Sequence, residues 1–501
     1  MDSRSRFLRS LLWISCAFAV IFGAEFWLEW QRLGQPGPAE LSWGDVDTKK
    51  IVDILSPMAR AYNNILAMLI ATIGLAIPLT ANMHTPKLID MFLRDRTNQV
   101  MLVVCSFGAA NVLFTAYLVG PKFAPMWAYR IAVFGAIVGW AALIPYFFYV
   151  VRFLDPSNIL ERLKAQITDA IDLAQRGKLS ADDAQAVVHE RLNQIGTIVL
   201  KSIDRADRSV VTEGVWSLKQ ILDCYGKAKI KMPDAWFVVD RGDFVGMAAE
   251  ALELLNEERT WFEMKVLGQM YLAYQQALAK SADAVSWISD ATRVIGTAAH
   301  TRGDPRAVEL TVRFFNNYLR EAIKRKDMHA LYDLFYQYRC LGRDVRDDTV
   351  MLRKIGVYFK TYSNVASNAG MAFAAQMAAF DLGWLVRRAY EGQSTAAPDL
   401  LADVLGMEHY SGGKLSAQIA EAKVILGAGL IEQGLLAEVA LVRANLRDVP
   451  PDVLDHIEKT LLTDVEKSFW EVTDRQVNFE YIAPARRPFV SALVADIKAG
   501  Q

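Results

Sequence analysis

Four long apolar stretches fill the first ~150 residues of this chain, and none follows in the ~350 after them. Without water, a backbone must satisfy its own polar groups, so each stretch is expected to cross a bilayer as one helix. The expected spans are residues 7–30, 57–83, 99–118 and 126–153. The chain then divides into a transmembrane module, residues 1–154, and a large water-soluble remainder. Hydrophobic residues make up 53% of the sequence. The mean hydropathy is only +0.15, because an apolar third is averaged with an ordinary soluble part.

Arg4, Arg6 and Arg9 precede the first run, LLWISCAFAVIFGAEFWLEW. A basic start followed by an apolar run is also the pattern of a cleaved signal peptide. This run is long, lacks a small-residue cleavage site and ends in the interfacial cluster Trp27, Glu29 and Trp30, so a retained anchor is expected. The short flanks set the orientation. Arg4, Arg6, Arg9, Lys87, Arg94, Arg96, Arg152, Arg162 and Lys164 gather on one side, against Arg32, Lys49, Lys50 and Lys122 on the other. Positive charge stays inside, so both termini are expected in the cytoplasm.

Several residues within the spans are unusual for lipid contact. Asn63 and Asn64 are expected in the first turns of span two, and Asn111 and Thr115 in span three. Gly135 and Gly139 form a small-xxx-small pair in span four, and Pro78 and Pro145 are candidate hinges. Such residues line a polar seam or glue neighbouring helices, and glue is the commoner use. No acidic or basic residue is firmly placed at mid-span, which argues against proton relays and ion-coupled transport. A passive pore needs no charge.

The stretch from Ile54 to Gln99 resembles the bacterial membrane-protein family known as domain of unknown function 2254. The resemblance is carried by Ile54-Leu55-Ser56, Thr85-Pro86, Leu88, Leu93, Asp95, Thr97 and Gln99. It continues at Arg152 to Arg162 and at Ile195-Gly196-Thr197-Ile198, so it covers residues 45–200. The sequence departs from the family where span two reads NNILAMLIATIGLAIPLT rather than a Ser/Thr-rich run, and at Ile203 to Arg208, where the family carries a Pro-Gly turn. The resemblance implies a four-span protein of the bacterial inner membrane with a cytoplasmic helical tail. It implies no reaction. Within it, HTPKLIDMFLRDRTNQ reads as a short interfacial helix with Leu88, Ile89, Phe92 and Leu93 on its apolar face.

From Asp155 onward, three- and four-residue apolar spacings predict helices almost throughout, starting with Ile159, Leu163, Ile167 and Ile171. Single helices are expected over 244–255, 366–390 and 451–471, and Trp236 to Val239 is the best candidate strand. The fold class is therefore all-α: a four-helix transmembrane module followed by a cytoplasmic bundle or irregular α-solenoid over 155–475. A C-terminal strap and short helix follow over 476–501, with Pro484 and Pro488 flanking Arg486-Arg487. The aromatic run Phe314, Phe315, Tyr318, Tyr332, Phe335, Tyr336 and Tyr338 reads as core and groove lining.

Chemistry is scarce in the sequence. The net charge is −1, which gives no field for nucleic acid. Cys16, Cys105, Cys224 and Cys340 have neither disulfide-framework nor metal-ligand spacing, and the six histidines are scattered. Glu257-Glu258 and Asp347-Asp348 read as solvated acidic pairs, and His300 with Cys340 is a conceivable nucleophile pair. No catalytic, cofactor or metal site is expected. The reading that asks least is a membrane scaffold in the lipid bilayer, as a homo-oligomer or complex subunit, presenting a helical domain to a cytoplasmic protein partner. The alternative is an oligomeric pore lined by spans two and three.

Overall fold

A computed structural model describes residues 20–24, 27–28, 31, 48–83, 88–119, 125–240, 242–408, 410–411, 414–415, 417–463, 466–467, 475, 478–479 and 481–500. Apart from one two-residue ladder, the regular structure among these residues is helical. The chain forms two compact units, Met1–Ile159 and Leu160–Gln501.

The first unit contains α1 (Thr48–Met83), α2 (Leu88–Arg94), α3 (Arg96–Leu118) and α4 (Met126–Leu154). Three stretches are long and apolar enough to cross a membrane: Ile51–Thr80, Arg96–Leu118 and Trp127–Leu154. The fourth expected span, residues 7–30, falls mostly outside the described residues. Its described part is helical, and Phe22 stacks on Phe107 and Phe114 of α3 at 5.3 and 5.0 Å. The unit's core joins Ile51, Leu55, Ala59 and Tyr62 of α1 to Ala109 and Val112 of α3 and Ala132 and Ala136 of α4. Met68, Leu75, Phe134 and Phe148 point outward, an apolar exterior suited to hydrocarbon rather than water.

Helix α1 begins at Thr48, nine residues before Pro57. Asn63 and Asn64 therefore stand in the middle of the long helix, not in its first turns. Pro57 and Pro78 both lie inside α1, and Pro145 inside α4.

The segment resembling the family builds a clasp between α2 and α3. Leu88 and Phe92 are buried, and Phe92 meets Phe153 edge-on at 5.4 Å. Asp95 caps α3 by accepting the Asn98 backbone N–H at 3.2 Å, and it also accepts the Tyr149 hydroxyl of α4 at 2.7 Å. Asn98 and Gln99 donate their side-chain amides back to the Phe92 and Leu93 carbonyls at 3.1 and 2.8 Å. These carbonyls end a helix of seven residues, where the Phe92 carbonyl also accepts the Asp95 backbone N–H at 3.3 Å. Thr85 and Pro86 lie outside the described residues.

The second unit takes in most of α5 (Pro156–Gln175), then α6 (Ala181–Asp204), α7 (Arg208–Ala228), α8 (Ala249–Glu258), α9 (Trp261–Lys280) and α10 (Ala282–Thr301). It continues with α11 (Pro305–Arg325), α12 (Met328–Asp344), α13 (Thr349–Asn368), α14 (Ala372–Glu391) and α15 (Ala397–Leu405). The last helices are α16 (Ala417–Glu432), α17 (Leu436–Asn445), α18 (Pro451–Thr463) and α19 (Arg487–Ala499). Two rows run through the unit. In one, α6, α9, α11, α13 and α15 pack in succession; in the other, α7, α10, α12, α14, α16 and α19 do. Aspartates punctuate the row changes: Asp207, Asp304, Asp327 and Asp348 each cap a helix by accepting the backbone N–H three residues on.

Four sequence expectations change here. Asp234–Phe237 is a 3₁₀ turn, not a strand. The backbone groups that would have joined a sheet are taken by side chains. The Trp236 carbonyl accepts from Gln185 at 2.9 Å and from the Trp261 indole at 2.6 Å, and the Val239 N–H donates to Asn256 at 3.1 Å. The helix expected over 366–390 is broken between α13 and α14, where Gly370 turns left-handed at φ +78° and the Met371 N–H returns to the Ala366 carbonyl. The helix expected from Phe244 starts only at Ala249, and the one expected to reach residue 471 ends at Thr463. The ladder pairs β1 (Tyr410–Ser411) with β2 (Lys414–Leu415).

Candidate functional site

The polar residues singled out in the spans bond mostly within their own helices. Asn63 is half-buried and donates its amide to the Ala59 carbonyl of its own helix at 2.8 Å. Asn111 and Thr115 are buried on α3, where the Thr115 hydroxyl donates to the Asn111 carboxamide at 3.4 Å. Asn64 is exposed on α1. A side chain on Gly139 would collide with Tyr62, whereas one on Gly135 would meet nothing within 4 Å. The close approach is therefore at Gly139 and, across the ring, at Gly108 of α3, where a Cβ would sit 2.8 Å from the Tyr62 hydroxyl. Tyr62 thus fills the space among all three helices. The missed signal was a glycine on each of two spans facing one large side chain on the third.

The second unit holds a more elaborate arrangement. One face of α12 carries Tyr332, Tyr336 and Arg339, at i, i+4 and i+7, and the adjoining face of α14 carries Phe373, Phe380, Asp381 and Trp384. Between them lies Arg475, from the segment linking α18 and α19. Its side chain and that of Asp381 are both fully buried. The guanidinium donates to Asp381 Oδ1 at 3.0 Å and to the Tyr332 carbonyl, and the same Nη1 lies 2.9 Å from Asp381 Oδ2 as an ion pair. It faces the rings of Tyr332 at 4.4 Å, Tyr336 at 5.2 Å and Phe479 at 5.5 Å. Arg339 holds Asp381 from the other side at 3.2 Å. Arg339 and Arg388 in turn face the Trp384 ring at 4.9 and 5.2 Å. Beyond Trp384 opens a cleft of about 850 Å³, bordered by Arg343, Arg346, Arg388 and Thr395. The aromatic residues of α12 were legible as groove lining, but neither Asp381 nor Arg475 was.

Other charged clusters are structural. Lys229 donates to Glu263 and Asp304, each at 2.7 Å. Burial opposes the charge on Lys229, but the two carboxylates outweigh it and hold the amine above its usual range. Burial pushes the Glu263 carboxyl up in spite of Lys229. The acidic pairs are used as well: Glu258 meets Arg306 and Arg313, Asp347 meets His300 at 2.7 Å, and Asp348 caps α13. His300 is thus paired with Asp347, while Cys340 is buried beside Tyr336. His189 packs against Trp261 at 4.9 Å and edge-on against Phe244 at 5.9 Å, with Asp243 3.5 Å away. Burial, with Lys265 nearby, lowers its pKa to about 4 despite Asp243 and Asp240. Among the described residues, no group of three His, Cys, Asp or Glu side chains could hold a metal ion.

Helices suited to crossing a membrane, followed by a long helical array, make this an all-helical membrane protein. Residues 4–205 match the model of the family described as predicted membrane protein (DUF2254). The match extends past both ends of the stretch from which the resemblance was read. No curated protein and no solved structure matches the chain.

Proposed function

We propose that the protein is a non-catalytic membrane scaffold, in which the spans anchor an α-solenoid that binds other proteins. The observation that carries this reading is the groove between α12 and α14, where an aromatic and charged surface holds a segment from far along the chain. Stacked helix pairs with such grooves are built for extended ligands. The membrane unit fits an anchoring role, since Tyr62 is wedged among three helices and Asn63, Asn111 and Thr115 bond within their own. The basic flanks favour a bacterial inner membrane protein with both termini in the cytoplasm. A photo-crosslinking residue placed at Phe373 in the full-length protein tests the scaffold role. Adducts to a defined partner at Phe373, absent from a control at Ile230, are expected; adducts equally weak at both sites would overturn it.

One observation favours the second reading, an oligomeric pore. Asn64 is an exposed carboxamide at mid-span, and a polar side chain facing hydrocarbon is costly unless another copy covers it. Planar-bilayer recordings of the intact oligomer decide: conductance that changes in Asn64→Leu supports a pore, and a silent oligomer removes it.

A further inference from the structure

We infer that the α12–α14 groove is a recognition site for an arginine followed four residues later by an aromatic residue, and that Arg475 and Phe479 occupy it as a resident ligand. This rests on the scaffold reading and names its partner class.

The site is specific in its chemistry. One oxygen of a buried carboxylate accepts from Nη1 and a helix carbonyl accepts from Nη2, while two tyrosine faces flank the same guanidinium. A planar fork satisfies all of these together, and a lysine ammonium satisfies only some. Phe479 fills the second subsite, stacking on Phe380 at 4.8 Å and meeting Tyr332 edge-on at 6.2 Å. The aromatic wall continues past it, because Tyr332 lies parallel to Phe373, which is 43% exposed. Ligand-binding surface therefore extends beyond what Arg475 and Phe479 cover.

The site also survives without its resident. Removing one partner of a buried pair is ruinous when the other charge is stranded. Here Arg339 stays on Asp381 at 3.2 Å and is itself held over Tyr336 and Trp384. The fold likewise stays closed when Arg475 leaves. The helices flanking its segment, α18 and α19, pack on each other, and both pack on α16. Exchange of Arg475 for a partner's arginine therefore costs the array little.

The test uses the full-length protein in lipid nanodiscs and a labelled peptide of residues 471–484, EVTDRQVNFEYIAP. Arg475→Ala is expected to bind this peptide at least tenfold more tightly than the wild type, whose own Arg475 competes. Arg→Lys in the peptide, or Asp381→Asn added to the protein, is expected to abolish that gain. Equal binding by wild type and folded Arg475→Ala, or by peptides with and without the arginine, would overturn the proposal. Should Arg475→Ala fail to fold, Phe479→Ala serves instead: it loosens the resident ligand while leaving both Arg475 and Asp381 in place, and unchanged peptide affinity there overturns the proposal equally. Peptide binding without any crosslinked partner at Phe373 would sink the scaffold reading and leave the site standing. A crosslinked partner with no peptide binding would do the reverse.

Discussion

Tyr62 takes the space that a side chain at Gly139 would need: a Cβ built on Gly139 runs into the tyrosine hydroxyl. Glycine in a membrane helix is tolerated where it lets a neighbour approach closely, and here the neighbour is a ring wedged between two helices. Gly139→Ala is therefore expected to destabilise the membrane unit by about 1–3 kcal/mol, the usual cost of overpacking. Gly135→Ala, with open space around it, should change stability little. Tyr62→Phe in the Gly139→Ala background should recover part of the loss, since it removes the colliding atom. Unfolding in graded SDS–detergent mixtures, followed by circular dichroism, reads all three. Equal loss at Gly135 and Gly139 would refute the wedge.

Asp304 does two jobs with its two oxygens. One accepts the Ala307 N–H at 3.1 Å and caps α11, and the other accepts Lys229 at 2.7 Å. Asp327 is the natural comparison, because it caps α12 through the Ala330 N–H at 2.9 Å. Asp327→Ala should cost about 1 kcal/mol, the ordinary value of an N-cap. Asp304→Ala should cost more, on the order of 2–4 kcal/mol, because Lys229 and Glu263 then lose part of a buried network. Asp304→Asn keeps the cap and loses the charge, so it should fall between. Chemical denaturation of the three variants ranks them, and an Asp304→Ala effect no larger than that of Asp327→Ala would show that the lysine contact adds nothing.

What could be read from the sequence divides along the range of the interactions. Helices follow from local spacing, so nearly all appear where the apolar period places them. Asn111 and Thr115, four residues apart, are a local pair and were visible as one. The failures share a cause. The run Trp236 to Val239 has the composition of a strand, yet Gln185, Asn256 and Trp261 claim its backbone from three separate helices. Gly370 stands between Ala369 and Met371, which extend a helical pattern, and only its left-handed backbone marks the break. Asp381 and Arg475 stand 94 positions apart, and nothing around either signals the other. A long-range pair leaves no local periodicity, so this half of the candidate site was invisible.

His189 should make the second unit acid-labile. Burial, with Lys265 nearby, lowers its pKa from 6.5 to about 4 in the folded state. Between those values the unfolded chain binds a proton that the folded chain refuses, so stability falls as pH drops through this window. At about 1.4 kcal/mol per pH unit, the loss is on the order of 2–3 kcal/mol. His189→Phe keeps the ring contacts to Trp261 and Phe244 and removes the proton site. The variant is expected to lose less thermal stability than the wild type between pH 7 and pH 4.5, read by tryptophan fluorescence in detergent. Parallel losses would place the acid sensitivity elsewhere.

Lys423 sets an opposite test on the alkaline side. Its ammonium is buried and donates to the Leu405 and Met407 carbonyls at 3.2 and 2.8 Å and to Asn445 at 2.8 Å, closing the end of α15. Burial lowers its pKa from 10.5 to about 8, with Asp448 opposing. Above pH 8 the folded chain has released a proton that the unfolded chain keeps up to about pH 10.5, so this lysine adds stability as pH rises through that range. Lys423→Met removes the donor to the Met407 carbonyl and to the Asn445 side-chain oxygen, leaving Leu405 only its bond from Asn445, and should cost about 1–3 kcal/mol at pH 7.5. Its deficit relative to the wild type should widen by about 1 kcal/mol per pH unit between pH 8 and pH 10. Paired melts of both proteins at pH 7.5, 8.5 and 9.5 measure this divergence, and a deficit independent of pH would mean that Lys423 keeps its proton throughout.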